Sequence, residues 1–495
     1  MKYLKSLIII LFLFANFVSA SVFIGPEDEF KIKKIELYAL KTNTNTDTTT
    51  YPISNRMLSN TLSNYKDLYD LAIYSKKVDL LFLKKNQFNS EIKLSLFTDI
   101  QPIRNIDDAW NEKNSLSYRT SFQGKNLAYQ FKISSYKNKF NKADYHFDES
   151  YIAYSKWNLV FGFGSLNRWW GPTHNNNLIL SNFARPSPGV FIQSLSGFEF
   201  DGFFSFIGKT NFSLFVNRLE SNRTIPNPYL IGSRMTFIPF KNLQIGFTRT
   251  MMVGGENRKE NGDVLIKAFF GAFEGADNIV GSGGRTDLNS FEHDPSNQIA
   301  AVDIKYDFLF KNNLISFYVQ QGADDGGPEW HQPLSHHTHT IGTEIKFESD
   351  KGLLNSYIFE VSKTDAVWHS DAGQRFNVTY EHSVYQNGHR YKGLPIAAFI
   401  DNDSIYSQFS YLKEINIRDS FKIDFFYADL NKDGTGKSVW GNSANVIKGV
   451  KTKFNKAINK NLSIEINLLL TDRKLEFTNK LIDKNVFGTS LIYKL

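Results

Sequence analysis

From about Leu80 to the end of the chain, apolar and polar residues alternate with a period of two. Ile92, Leu94 and Leu96 alternate with polar neighbours, and the same pattern returns in segments 127–134, 315–320, 341–347, 356–361 and 422–427. Successive side chains of a β-strand point to opposite faces. The pattern therefore predicts a series of strands that share one apolar face and one polar face.

The segment before these strands has a different pattern, which predicts helices within residues 21–79. Pro26 is followed by three acidic residues, and proline and acidic side chains are favoured in the first turn of a helix. A polar loop is expected from Thr42 to Thr50. Ser54 is placed to cap a second helix, which would carry Met57 and Leu58 on its apolar side.

The first 20 residues predict a secretory signal peptide. Lys2 and Lys5 precede an apolar run that ends at Phe14, and Ala20 closes a cleavage pattern of small residues. Beyond it, no apolar stretch approaches the roughly 20 residues that a membrane helix requires. Any membrane-spanning element of the exported chain must therefore be a strand.

Composition favours a membrane barrel over a soluble β-sandwich, which shows the same alternation. Aromatic residues make up 15% of the chain, with 44 Phe and 23 Tyr, and there is no cysteine to form disulfides. A last strand alternates from Phe487 through Leu491 and Tyr493 to Leu495, as expected for insertion into an outer membrane. At roughly 22 residues per strand and connection, residues 80–495 predict an all-β transmembrane antiparallel barrel of about 18 strands in the bacterial outer membrane.

The charge of the chain gives weak evidence for an anionic partner. The formal net charge is +7, including the two lysines of the signal peptide. The remaining Lys and Arg residues are scattered along the strands and do not form one stripe. Together with the export signal, this scattering disfavours nucleic-acid binding.

The tract from Arg168 to Pro188 combines aromatic, cationic and amide side chains. Indole faces stack on the C–H faces of sugar rings, while Arg and Asn side chains donate hydrogen bonds to hydroxyl and acidic groups. Two prolines near its end predict a loop and not a strand of the wall. The alternative is an interfacial aromatic belt with packed turns. The residues predicted to bind polysaccharide are Arg168, Trp169, Trp170, Asn182 and Arg185.

This tract and further blocks in the same order resemble the capsule assembly protein Wzi family of outer-membrane barrels. The resemblance implies a non-enzymatic, lectin-like barrel that holds capsular polysaccharide at the cell surface. It also implies that the N-terminal helices form a plug or a periplasmic element at the periplasmic end of the barrel. The other matching blocks are Tyr51-Pro52-Ile53, Gly232-Ser233-Arg234-Met235-Thr236-Phe237, Ile245-Gly246-Phe247-Thr248-Arg249-Thr250, Gly254-Gly255-Glu256, Asp294-Pro295-Ser296-Asn297-Gln298 and Tyr391-Lys392-Gly393-Leu394-Pro395.

Two segments bear a partial likeness to metal sites. Four histidines between His331 and His339 are expected in a solvated extracellular loop, where a pair spaced by one residue could meet one ion. The segment from Asp429 to Gly434 resembles the opening of a calcium loop, but Trp440 stands where the closing Glu is expected. A turn between two strands is the preferred interpretation, and no metal or cofactor is expected.

Enzymatic motifs are weak in this sequence. The glycine-rich run from Gly281 to Gly284 lacks the Lys-Ser/Thr pair of a phosphate-binding loop, and no Gly-x-Ser-x-Gly elbow occurs. Residues distant in sequence could still assemble the catalytic site of a hydrolase. This alternative is tested by the positions of the side chains in the fold.

The polar faces of the strands predict a lumen with both signs of charge, whose side chains are expected to cross-link the strands. The leading interpretation is a surface lectin that retains capsular or extracellular polysaccharide, expected to be a monomer in contact with outer-membrane lipid. The alternative is a channel or exporter for sugars or small solutes, which requires an open lumen. The lumen-facing positions expected are Asn217, Arg234, Thr248, Glu256, Glu344, Glu360 and Asp424.

Overall fold

The structure, a computed structural model, describes residues 23–41, 46–54, 87–108, 113–137, 143–258, 260, 262–270, 296–329, 332–367, 374–416 and 418–495. The predicted signal peptide, the predicted second helix and the glycine-rich run lie outside the described residues. The boundary expected near residue 80 lies outside them too, so it stays a prediction.

Eighteen antiparallel strands form a closed barrel, as the alternation predicts. The last strand pairs with the first, with Leu491 opposite Leu94, and this pairing closes the barrel. A short additional strand, Ala143–His146, pairs with residues 134–137 at the end of the barrel strand that begins at Leu127. In chain order the barrel strands are β1 (Gln87–Phe97), β2 (Asn114–Gln123), β3 (Leu127–Lys137), β4 (Tyr151–Lys156), β5 (Leu159–Gly164), β6 (Gly189–Ser194), β7 (Lys209–Arg218), β8 (Tyr229–Phe240), β9 (Leu243–Val253), β10 (Ser296–Phe310), β11 (Asn313–Glu329), β12 (Gln332–Glu348), β13 (Leu354–Val367), β14 (Ile405–Glu414), β15 (Ser420–Leu430), β16 (Asn445–Ala457), β17 (Leu462–Thr471) and β18 (Asn485–Lys494).

The two faces of the wall follow the predicted register. Apolar side chains point outward, where Phe317 is 52% and Phe359 is 49% exposed. Their neighbours Ser316 and Glu360 point inward and are at most 1% exposed. An apolar outer belt around a polar interior is the arrangement that lipid and a satisfied lumen require.

The connections give the barrel its orientation. At one end the strands are joined by short turns, such as the two residues Lys311 and Asn312 between β10 and β11. At the other end long segments connect the strands, among them 165–188 and 368–404. Bacterial barrels have short periplasmic turns and longer extracellular loops. The long segments therefore lie on the extracellular side, and the chain end after β18 lies on the periplasmic side.

Two helices are described, and neither is long and apolar enough to cross a membrane. The first, α1 (Glu29–Lys41), precedes the barrel at the predicted position. The second, α2 (Gly262–Phe270), belongs to the connection between β9 and β10. Small two-stranded ladders join Phe23–Ile24 to Ile53–Ser54 and Thr50–Tyr51 to Trp169–Trp170. The first ladder lies within the N-terminal segment, and the second links this segment to the loop after β5.

One periplasmic connection carries exposed aromatic rings. Between β6 and β7 a 3₁₀ turn spans Gly202–Ile207, in which Phe203 is 82% and Phe206 is 64% exposed. Trp157, in the turn between β4 and β5, is 75% exposed at the same end. Aromatic rings at this level form the girdle that flanks the apolar belt in outer-membrane barrels.

The register of the closing strand makes a testable prediction. Leu491 points outward near the middle of β18 and is 42% exposed. In Leu491→Asp a carboxylate must enter the lipid belt, which costs on the order of 2 kcal/mol. We expect a smaller fraction of folded, heat-modifiable barrel on gels of outer-membrane extracts. Asn485→Asp, at the extracellular end of the same strand, is the control, and equal folding of both variants would contradict the register.

Candidate functional site

The lumen is occupied at its periplasmic end by α1, which a buried charge network fixes to the wall. Lys33 Nζ lies 2.5 Å from Glu344 Oε1 of β12, and Glu36 Oε2 lies 2.6 Å from Lys346 Nζ of the same strand. All four side chains are at most 8% exposed. Charges this deeply buried require partners. They hold the helix against strands of the wall that follow it by about 300 residues in sequence.

Glu29, at the start of α1, extends this charge network to strand β15 of the wall. Its Oε2 atom lies 2.7 Å from Lys422 Nζ of β15, and its Oε1 atom lies 3.2 Å from Lys33 Nζ. Burial alone would raise the pKa of Glu29, but the two lysines lower it to about 2. Glu29 is therefore ionised at neutral pH and keeps the network charge-paired.

The loop 165–188 folds into the lumen above α1. Glu360 of β13 accepts backbone hydrogen bonds from His174, Asn175 and Asn176 at 2.7, 2.9 and 3.1 Å. Gln320 of β11 accepts one from the Leu178 N–H at 2.9 Å. Wall side chains thus satisfy the backbone of a buried loop, which would otherwise be costly to bury.

Arg234 of β8 joins the N-terminal segment to the neighbouring strands β9 and β10 of the wall. It lies 2.6 Å from Asp303 of β10 and donates to the hydroxyls of Thr49 and Thr50, each at 2.9 Å. Thr248 accepts a further bond from the same guanidinium at 2.6 Å. The prediction that polar lumen residues cross-link the strands is confirmed here.

A third layer covers the loop from the extracellular side. Residues 396–400, in the long connection between β13 and β14, are at most 4% exposed. Phe399 packs on Phe183 with ring centroids 5.9 Å apart, and Ser181 N–H donates to Ile396 O at 2.8 Å. These contacts join the two long loops in one apolar cluster inside the barrel. The described residues therefore fill the lumen at three levels.

Predicted lumen-facing residues lie where expected, with one exception. Asn217, Thr248 and Asp424 are at most 3% exposed. Glu256 is wrong as a lumen residue, because it lies exposed in the loop beyond Val253, after two glycines with positive φ. Strand β9 ends before Glu256, so the alternation no longer decides which way its side chain points.

The structure places four of the five predicted polysaccharide-binding residues in the interior. Trp169 is 2% and Trp170 is 0% exposed, with Arg168 at 5% and Asn182 at 3%. The Trp169 indole donates to Thr173 O at 2.7 Å. The expected loop is present, but neither indole face is accessible for stacking on a sugar ring. Glycan contact by these residues stays a prediction. Their close packing in the lumen is a physical argument against it.

Arg185 is the most accessible of the five. Its side chain is 15% exposed and forms a two-point ion pair with Asp148, at 2.7 and 3.0 Å. It lines a small cavity of about 30 Å³ together with Arg168, Pro186 and Tyr391. The tract thus brings its two arginines to one cavity. Asn182 does not line this cavity, and its side-chain amide donates to Ile106 O at 2.8 Å.

A larger concavity, here called the extracellular groove, opens between the connections that follow β13 and β15. Its volume is about 390 Å³. Its lining carries amide, carboxylate, imidazole and ammonium groups, which match the donors and acceptors of sugar hydroxyls. Lys437 is its most exposed cation, with 56% of its side chain accessible. The groove is lined by Asp324, Asn377, Val378, Glu381, His382, Ser383, Gly436 and Lys437.

The model of the capsule assembly protein Wzi family matches residues 83–481 of the chain. The chain belongs to this family. A solved structure with the same fold is Wzi, described as an outer membrane protein involved in group 1 capsule assembly in Escherichia coli and as a carbohydrate-binding β-barrel. It has a TM-score of 0.77 and 18% identity, and the match covers 95% of this chain and 99% of that one.

A sequence relative is the uncharacterized 55.8 kDa protein in the cps region of Klebsiella pneumoniae. It is 28% identical over 192 residues, which are 38% of this chain and 35% of that protein. The match therefore spans about a third of that relative. The Wzi family and the closed barrel confirm the predicted fold and the predicted outer-membrane location.

The two segments compared with metal sites have other structures in this Wzi-family barrel. The expected histidine loop is wrong, since His337 and His339 lie on β12, within a long hairpin with β11; His331 lies outside the described residues. Asn431 and Gly434, with positive φ, open the loop after β15. Among the described residues no group of three or more His, Cys, Asp or Glu is placed to hold a metal ion.

Sequence reasoning missed the residues of the extracellular groove. Asn377 and Lys437 lie 60 positions apart on different loops. Lys437 lies within the segment compared with a calcium loop, and that comparison gave no indication of a sugar-binding groove. The proximity of the two residues follows from pairing of β14 with both β13 and β15, which brings the ends of the two connections together. Tyr391 at the small cavity lies in a block that already carried the family resemblance.

Proposed function

We propose that this protein binds capsular or related extracellular polysaccharide at its extracellular face and retains it on the cell, without catalysing a reaction on it. Membership of the Wzi family supports this function, and a member of similar fold is described as carbohydrate-binding. The observation that carries the proposal is the filled lumen. A filled lumen gives the polymer no path through the barrel, so contact with it is confined to the extracellular face.

The same observation disfavours the alternative of a channel or exporter. Passage of a sugar requires a continuous aqueous path, whereas α1, the loop 165–188 and residues 396–400 occupy successive levels of this lumen. The ion pairs of Glu344 and the hydrogen bonds of Glu360 tie these levels to the wall. We expect low, closed-state conductance of the purified protein in a planar bilayer.

The extracellular groove is the proposed contact surface for the polymer. It offers donors and acceptors on a scale of one or two sugar rings, and Lys437 adds a positive charge at its edge. Each hydrogen bond to a sugar contributes about 0.5–1.5 kcal/mol. Affinity for a long polymer then arises from several such contacts made together.

Retention is tested in a strain that lacks the gene and carries it again on a plasmid. We expect the deletion to raise the ratio of released to cell-bound polysaccharide while total polymer stays constant, and the wild-type gene to restore the ratio. Ser383→Trp, which fills the groove, and Lys437→Ala should restore it only in part. Lys474→Ala, on another extracellular loop with 55% of its side chain exposed, is the control. An unchanged ratio in the deletion strain would contradict retention, and a fall in total polymer would indicate export.

A further inference from the structure

Arg168 is a buried cation whose guanidinium has no acidic partner among the described residues. Only 5% of the residue is exposed. Its Nη1 atom lies 3.4 Å from Leu166 O, and its Cζ atom lies 4.2 Å from the ring centroid of Phe215. Its Nε and Nη2 atoms have no hydrogen-bond partner within the part of the chain that the structure describes. Arg234, equally buried, is paired with Asp303.

Leaving such a cation unpaired costs stability. A buried charge without a partner destabilises the fold more than an apolar side chain of the same size. Contact with the Phe215 ring offsets part of this cost. An apolar residue of similar size would avoid this cost, so packing alone does not account for a charged residue at this position.

The cavity beside Arg168 has the size and charge to receive a small anion. Its volume of about 30 Å³ admits a group somewhat larger than one water. None of the described residues that line it carries a carboxylate, whereas Asn167, Ser187 and Arg185 contribute polar groups. Burial lowers the pKa of Arg168 to about 9, so the guanidinium still carries its charge at neutral pH.

The rim of the cavity is the accessible part of the same tract. Arg185 and Pro186 are partly exposed, and Tyr391 closes the cavity from the loop that follows β13. The pair between Arg185 and Asp148 leaves Arg185 electrostatically satisfied. Arg168 is therefore the unbalanced positive charge of the cavity.

We propose that this cavity is a subsite for a carboxylate substituent of the bound polysaccharide, which Arg168 receives as a two-point ion pair. The planar guanidinium matches the two oxygens of a carboxylate, while the sugar ring that carries it stays outside at Arg185 and Tyr391. The subsite rests on the proposed function and makes the ligand an acidic glycan, such as one that contains a uronic acid.

The test uses the purified full barrel in detergent, with sodium D-glucuronate, D-glucose and sodium acetate as probes in calorimetric titrations. We expect wild-type protein to bind glucuronate and to bind glucose and acetate at least about 10-fold more weakly. Glucose lacks the charge that makes hydrogen bonds to the guanidinium strong, and acetate lacks the sugar ring that would contact Arg185 and Tyr391. Arg168→Met should lower the affinity for glucuronate by about 10-fold or more. Acetate binding as tight as glucuronate would overturn the assignment to a sugar-borne carboxylate.

Two further variants separate this role from a structural one. Arg223→Met is the matched control, since Arg223 is equally buried but donates to Gly388 O and Arg390 O and should not affect glucuronate binding. Arg168→Lys keeps the charge but loses the two-point geometry, so its affinity should fall between wild type and Arg168→Met. Without ligand, Arg168→Met should melt at the same temperature as wild type or higher. Lower melting with unchanged glucuronate affinity would overturn the subsite.

The outcomes also separate the subsite from the proposed function. If the barrel binds polysaccharide from its own bacterium and Arg168→Met binds it equally well, the subsite is wrong and the retention function stands. If glucuronate binds through Arg168 while polysaccharide is neither bound nor retained, the subsite stands and the proposed function fails.

Discussion

Glu344→Ala is expected to loosen α1 from the barrel wall and to lower the free energy of unfolding by about 3 kcal/mol. Glu344 lies 2.5 Å from Lys33, 2.7 Å from Lys346 and 3.3 Å from His174 Nε2. Removing the carboxylate leaves buried lysines short of one partner, and breaking a buried pair costs roughly 3–5 kcal/mol. Glu29 and Glu36 still contact these lysines, which places the expected loss at the lower end.

Denaturant unfolding of the purified barrel measures this effect. Asp483→Ala removes a carboxylate that is 66% exposed and paired with Lys474, and it is the control that should leave unfolding unchanged. Because α1 closes the periplasmic level of the lumen, we also expect Glu344→Ala to increase conductance in a planar bilayer. Unfolding and conductance equal to wild type would contradict the role of this charge network as the anchor of the plug.

Trp170→Ala is expected to destabilise the loop 165–188, at a larger free-energy cost than the loss of one stacking contact with a sugar. Trp170 is fully buried, with its ring centroid 5.3 Å from that of Phe215, and its carbonyl accepts a bond from Gln320 at 3.1 Å. Truncating a buried tryptophan to alanine costs about 3–5 kcal/mol. Stacking on a sugar would be worth only about 0.5–1.5 kcal/mol per ring.

Hydrogen exchange of the loop amides distinguishes these two roles. We expect faster exchange of residues 174–180 in Trp170→Ala and a smaller change in Trp170→Phe, which keeps an aromatic ring. Trp157→Ala, which removes a ring that is 75% exposed in a periplasmic turn, is the control and should leave these amides unchanged. Wild-type exchange together with weaker polysaccharide binding by Trp170→Ala would restore direct stacking as its role.

The barrel could be predicted from the sequence because its main signal is local. The period-two alternation places Leu94 and Leu491 outward and Lys422 and Glu344 inward, and the structure has the same assignment. A lipid belt against a polar lumen leaves no other register for these strands.

The filling of the lumen could not be predicted, because it depends on pairs distant in sequence. Lys33 meets Glu344, and the backbone of Asn175 meets Glu360. Nothing in the neighbourhood of either glutamate indicates which buried group it will meet. The family resemblance implied a plug or a periplasmic element, and the described part of the N-terminal segment lies within the lumen.

The tract at Trp169 and Trp170 shows the limit of composition as evidence. Aromatic, cationic and amide groups suit a sugar surface, and they suit equally the interior of a filled barrel. Pairing of these two residues with Thr50 and Tyr51 decides their location. Of the five residues predicted to bind polysaccharide, Arg168 and Arg185 line the small cavity, and the part of the original hypothesis that we retain rests on these two.

Direct binding of polysaccharide by the purified barrel tests the central claim most directly. The polymer from the bacterium that encodes the protein is immobilised, and the folded protein is passed over it at increasing concentration. We predict saturable binding that excess soluble polymer removes, by protein that conducts little current in a planar bilayer. A folded barrel that does not bind this polymer, and that conducts ions through an open lumen, would contradict the proposed surface-retention function.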